Sequence, residues 1–206
     1  MSKSTLNYEF SDFGSKMKKI GILSIFTFIS SFVANIGNII GNILLPVRII
    51  TLILQIIILN TMLSALENAK EINVRLNSRD LEEFRKKIYY GYLISIIGWA
   101  SFIVGVFFIS IYFVVLGITF FVIGIILVLI SGILRILGWY SFQTFLGKNL
   151  KRFPLNIGDD ALLGSKFLKY SAFFHLLVFT SFIGLIFDTI GSFKLASLRA
   201  LIDAKS

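Results

Sequence analysis

From Ile88 to Leu134 the chain runs 47 residues without a formal charge. One helix crossing a hydrocarbon core needs only about 20 residues, and at about 1.5 Å per residue this run is far too long for a single crossing. It suits two crossings joined by a tight turn near Ser110 to Tyr112. A soluble reading fails on the same ground, since only 15% of the 206 residues are charged against about 25% in soluble domains. Tyr89, Tyr90 and Tyr92 open the run and Trp139 and Tyr140 follow it, as amphipathic rings at one membrane interface would. Both ends of this hairpin therefore belong on one side.

Two further hairpins flank it. The first follows Lys16, Lys18 and Lys19, turns within Asn35 to Pro46 and returns to Leu66. It has no small-x-small cleavage pattern and a second span follows directly, so it reads as a retained span and not a signal peptide. The last region has 18 uncharged residues, Tyr170 to Phe187, before Asp188, Lys194 and Arg199 interrupt it. Five spans with an amphipathic C-terminal helix would account for it. Two features favour six. Gly14-Ser15-Lys16 recurs 150 residues later as Gly164-Ser165-Lys166, and Ala65 to Lys70 is matched by Ala200 to Lys205. Six spans also gather 18 of the 20 basic residues on one side, the lysine and arginine bias that sets insertion topology.

The expected fold is therefore all-α: a polytopic transmembrane helical bundle of six spans in three helical hairpins, at about residues 16–66, 86–142 and 166–204. Connectors 67–87 and 143–165 and both termini are expected in the cytoplasm, with the bundle in the inner or plasma membrane. The net charge of +9 then records topology and attracts anionic lipid headgroups; it does not point to nucleic acid. The connectors are expected to be too small to form a core of their own. In the first of them, Asn77-Ser78 before Asp80, Glu82 and Glu83 predicts a helix start, with Glu82–Lys86 and Glu83–Lys87 as i, i+4 ion pairs.

Within the middle hairpin, Gly91, Gly98 and Gly105 are spaced by seven, as are Gly117, Gly124, Ser131 and Gly138. Small residues at that interval make one seam per helix, letting backbones approach where lipid gives no hydrophobic drive to associate. The two seams are expected to face each other; a glycine-lined pore is the alternative. In the first hairpin, Asn35, Asn38 and Asn42 form one polar stripe and Arg48, Thr51 and Gln55 another, both at i, i+3, i+7. With His175 and Lys194 they make a candidate polar pathway, because ionisable groups at membrane depth are costly and functional by default. Each has a plainer reading. Arg48 and Arg135 would snorkel to headgroups, and His175 would hydrogen-bond a neighbouring helix. Asp188 would cap the last helix at an outer turn, leaving Lys194 deep and in need of a partner.

No cysteine and one histidine exclude thiolate chemistry and a histidine metal cluster. Asp159-Asp160 reads as the acidic start of a helix and not a metal site, and no nucleophile, phosphate-loop or dinucleotide motif is present. No catalytic residue, cofactor or metal is expected. Lysine-flanked, isoleucine-rich hairpins and the exit Gly138-Trp139-Tyr140 resemble the uncharacterised small multi-pass integral membrane proteins of archaea, a resemblance that implies a membrane bundle and carries no activity. Two functions follow as expectations. One is a non-catalytic scaffold or assembly partner, acting as a homo-oligomer or with another membrane protein; the other is a permease or channel for an ion or small polar solute.

Overall fold

The computed structural model describes residues 3–40, 45–110, 113–176 and 181–202. These residues are helical almost throughout, with no strand among them. The helices are α1 (Lys3–Ile40), α2 (Leu45–Leu76), α3 (Arg79–Ser110), α4 (Val114–Asn149), α5 (Leu155–Leu176) and α6 (Ser181–Leu195), followed by a 3₁₀ turn, Ala196–Leu201. Each helix packs on the next and α6 packs back on α1, closing a ring of six.

The charged connectors are continuations of the helices. Only Asn77 and Ser78 separate α2 from α3. Asn77 takes a left-handed φ of 44°, a conformation asparagine tolerates better than most residues, and the Asn73 side chain accepts the Ser78 N–H at 2.9 Å. The two predicted ion pairs form at 2.5 Å (Glu82–Lys86) and 2.7 Å (Glu83–Lys87). The turn of the middle hairpin lies between Ser110 and Val114. Asp159 and Asp160 fall in the second turn of α5, which begins at Leu155.

The third hairpin closes as α6 runs back along α5. His175 meets Gly184, Ser171 meets Asp188, Gly164 meets Gly191, and Asp160 meets Lys194. The closing 3₁₀ turn then reaches the start of α1, where Asn7 Nδ2 donates to the Leu201 carbonyl at 3.3 Å and Ser11 Oγ to the Arg199 carbonyl at 2.8 Å. The first turns of α1 and the closing 3₁₀ turn thus sit together at one end of the ring. A Cβ on Gly14 would lie 2.6 Å from the Arg199 nitrogen, and one on Gly164 2.7 Å from the Gly191 oxygen. The repeated Gly-Ser-Lys segments therefore mark the same kind of contact, a helix touching the last part of the chain at backbone level.

Apolar burial concentrates at this charged end. Phe10, Phe13 and Met17 of α1 join Leu81 and Phe84 of α3 and Trp139, Phe142 and Phe145 of α4 in one core. Phe142 lies 5.4 Å from Phe13 and 4.4 Å from Phe84 between ring centroids, so aromatic rings from three helices fill the middle of the ring. The connectors contribute to one core shared among the helices. Taken singly they are too short, but as helical extensions they pool alternate apolar turns, such as Ala65, Ala69 and Ile72 on α2 and Leu195, Leu198 and Leu201 near the C-terminus.

Away from that end the helices present apolar surface outward. Phe26, Ile53, Ile97, Ile126, Phe173 and Ile186, one from each helix in turn, are all exposed. Among the described residues one helix is long and apolar enough to cross a membrane, α4 with its continuation to Arg152.

Candidate functional site

The heptad small residues of α3 and α4 meet across the middle hairpin. The Ser131 hydroxyl donates to the Gly91 carbonyl at 2.8 Å in a buried contact. A Cβ on Gly105 would lie 2.9 Å from the Gly117 oxygen, and one on Gly98 would lie 3.4 Å from the Gly124 oxygen. Gly138 closes the seam against Ile88, whose side chain would be 2.8 Å from an added Cβ. Backbones this close leave no room for a pore between the two helices. Gly98→Leu forces the helices apart and should cost about 1–3 kcal/mol, the range for overpacking a filled contact. Thermal unfolding in detergent checks it, and an unchanged midpoint would remove the seam from the account.

The candidate polar residues fall in separate places. Thr51 Oγ1 donates to Ser30 Oγ at 3.0 Å, joining α2 to α1. Gln55, one turn on, is exposed. Asn35 and Asn38 lie on α1 and Arg48 on α2, with their side chains outside the described residues, as is all of Asn42. Lys194 does not lie deep: its Nζ is 2.7 Å from Asp160 Oδ1, with both side chains two-fifths exposed at the charged end. A pair that open to solvent contributes little to stability.

His175 belongs to a cluster that the sequence reading did not assemble. Its Nε2 is 2.8 Å from Asp188 Oδ2, and Ser171 Oγ donates to Asp188 Oδ1 at 2.6 Å, so both carboxylate oxygens are engaged. His175 and Asp188 are each about one-fifth exposed, at 21% and 20%. Asp188 therefore sits in mid-helix instead of capping α6. Gly184 makes room for the imidazole: a Cβ there would lie 2.9 Å from its Cε1 and Nδ1. Arg135 of α4 completes the group. Its guanidinium carbon stands 4.9 Å above the Tyr92 ring of α3, and it is within electrostatic reach of Asp188. Its Nε is buried with no hydrogen-bond partner among the described residues. The Arg135 side chain lies across Gly91, its Cγ where a Gly91 side chain would be.

The hydrogen bonds of this cluster join α5 to α6 within the last hairpin, and the Arg135 charge on α4 is felt at Asp188. A signal for the cluster is present in the chain. Ser171 and His175 are four apart, as are Gly184 and Asp188, so each pair shares a helix face, and an antiparallel hairpin sets the two faces together. Chemically the order is serine, aspartate, histidine. A nucleophilic triad needs histidine between the other two so that it can take the hydroxyl proton; here the carboxylate is the bridge, and it holds both neighbours as an acceptor.

A second network lies at the charged end. Lys16 Nζ bonds the Asn68 side chain and stands 2.9 Å from Asp12, while Asn68 Nδ2 donates to Glu9 and Asp12 at 2.9 Å each. Burial raises the Asp12 pKa, but the bonds from Lys16 and Asn68 outweigh it and leave the net value below the ordinary 3.8. A depressed carboxylate stabilises the fold above its unfolded pKa and ceases to as pH falls through the folded value. Acid titration below about pH 4 should weaken the α1–α2 contact, and Asp12→Asn should flatten that part of the stability profile. Parallel profiles for the two proteins would contradict this.

No group of three or more metal-ligating side chains occurs among the described residues. Comparison with protein-family models, with curated proteins and with solved structures finds no match to the chain.

Proposed function

We infer that the chain is a non-catalytic multi-pass protein of the inner or plasma membrane, crossing it six times, and that it acts as a scaffold or assembly partner. The observation that carries this is the separation of its polar groups. Thr51, His175 and Lys194 end in three different contacts between helices of the same hairpin, at 3.0, 2.8 and 2.7 Å. Polar side chains used this way hold helices together where apolar contact with lipid is as good as contact with protein. Six crossings are supported by the exposed apolar side chains on all six helices and by the antiparallel course of α5 and α6. Solubilised from its own membrane in a mild detergent, the full chain should migrate in an assembly larger than its 23.2 kDa. A lone monomer with nothing crosslinked to it would remove the scaffold reading.

The Asp188 carboxylate favours a second reading, a permease or channel, because it supplies the membrane-level acid that proton or cation coupling requires. Proteoliposomes separate the two. The scaffold reading predicts that the intact chain adds no proton or cation leak above empty vesicles, while a leak abolished by Asp188→Asn would establish the permease.

A further inference from the structure

The joint between α2 and α3 is the least closely packed of the ring's helix pairs, and it opens as a cleft of about 460 Å³ at the charged end. That is within the range of about 300–1,000 Å³ that holds small ligands. Its polar wall carries Lys70 from α2 and Arg85 and Lys86 from α3 against one acid, Glu67. Lys86 is held by Glu82. Arg85 is not satisfied: its Nε is buried and has no hydrogen-bond partner among the described residues. A buried guanidinium donor left without an acceptor costs free energy, and a planar fork of this kind matches phosphate. The other wall is amphipathic. Leu63 and Leu66 line it, and Tyr89 and Tyr90, about half exposed, stand at its mouth on the side of the uncharged run.

We propose that this cleft binds one anionic phospholipid of the cytoplasmic leaflet, its phosphate on Arg85 and Lys70 and its glycerol and first acyl carbons against Tyr89, Tyr90 and Leu63. The shared chemistry is a phosphate ester. The lipid is chosen over a soluble ester because the cationic wall continues into apolar and tyrosine surface, the arrangement of basic headgroup pockets between membrane helices. The placement in the cytoplasmic leaflet rests on the six-span topology; the cleft itself does not.

The test uses the full chain in detergent micelles, titrated with phosphatidylglycerol, phosphatidylcholine or soluble glycerol 1-phosphate and read by thermal stabilisation. Phosphatidylglycerol should stabilise the chain and phosphatidylcholine should not. The Lys70→Gln/Arg85→Gln pair should weaken phosphatidylglycerol binding by at least about tenfold, as expected from two lost charge contacts. Lys151→Gln/Arg152→Gln, which removes equal charge from an exposed segment elsewhere, should leave it unchanged. Equal weakening by the two pairs would reduce the effect to general charge attraction, and equal stabilisation by glycerol 1-phosphate would make the cleft a site for free phosphate esters; either overturns the proposal. Should the glutamine pair fail to fold, Arg85→Lys keeps the charge and loses the fork, and unaltered binding by it would likewise contradict the assignment. Binding in micelles is independent of orientation, so an inverted topology would leave these results standing.

Discussion

Asp188→Ala should destabilise the folded chain by about 3 kcal/mol, toward the lower end of the summed range for two part-buried donors, Ser171 and His175, that each lose an acceptor at about 1–3 kcal/mol. The lower end applies because one-fifth of each side chain is open, 21% for His175 and 20% for Asp188. Removing the carboxylate leaves the Ser171 hydroxyl and the His175 ring without their acceptor. For a chain of this length that corresponds to a fall of about 6–12 °C in the unfolding midpoint. His175→Ala should cost less, because Asp188 keeps Ser171. The double substitution should cost less than the two single ones added together, as it does for residues that share a contact. Full additivity would mean that His175 and Asp188 do not act together, and an Asp188→Ala midpoint equal to the wild type would remove the cluster as the joint between α5 and α6.

The aromatic core at the charged end carries the second large effect. Phe142 is 2% exposed and contacts Phe13, Phe84, Trp139 and Phe145 with ring centroids 4.4 to 6.1 Å away. Phe142→Ala should cost about 3–5 kcal/mol, combining lost contacts with a cavity that rings anchored on three helices cannot easily fill. Phe142→Leu, which keeps much of the volume, should cost less than about 1.5 kcal/mol. Ile126→Ala, on the outward apolar face of α4 where the side chain is 51% exposed, should cost under about 1 kcal/mol because it leaves no cavity. If the Ile126 and Phe142 substitutions shift the midpoint equally, the stability of the ring does not reside in its charged end.

Much of this architecture is legible in the chain. The seven-residue spacing of Gly91, Gly98 and Gly105 predicts a seam because helix geometry returns to the same face after two turns, and the backbone contacts of Gly98 and Gly105 lie on it. Charge placement predicts the Glu82–Lys86 and Glu83–Lys87 pairs for the same local reason. Position of the core was harder to read. Phe10, Phe13 and Met17 have helical spacing, but the lysines between and after them suggest a solvated segment, and only the ring brings such segments from different helices together. The Asp188 cluster was missed through the length of the last hairpin. Counting uncharged residues ends that span at Phe187, which places Asp188 at a turn, whereas α6 begins at Ser181 and carries it in mid-helix. Lys194 follows from the same miscount: once α6 starts earlier, its lysine arrives at the charged end beside Asp160.

Residue accessibility tests the proposed six-span topology most directly, and the absence of cysteine from the chain makes single-cysteine labelling clean. Phe113 at the α3–α4 turn, Lys151 after α4 and Ile202 beyond the closing turn are all exposed. In intact cells a membrane-impermeant maleimide should label Phe113→Cys, and should reach Lys151→Cys and Ile202→Cys only after permeabilisation. Labelling of Ile202→Cys from outside, or of Phe113→Cys and Lys151→Cys from the same side, would contradict the three-hairpin topology.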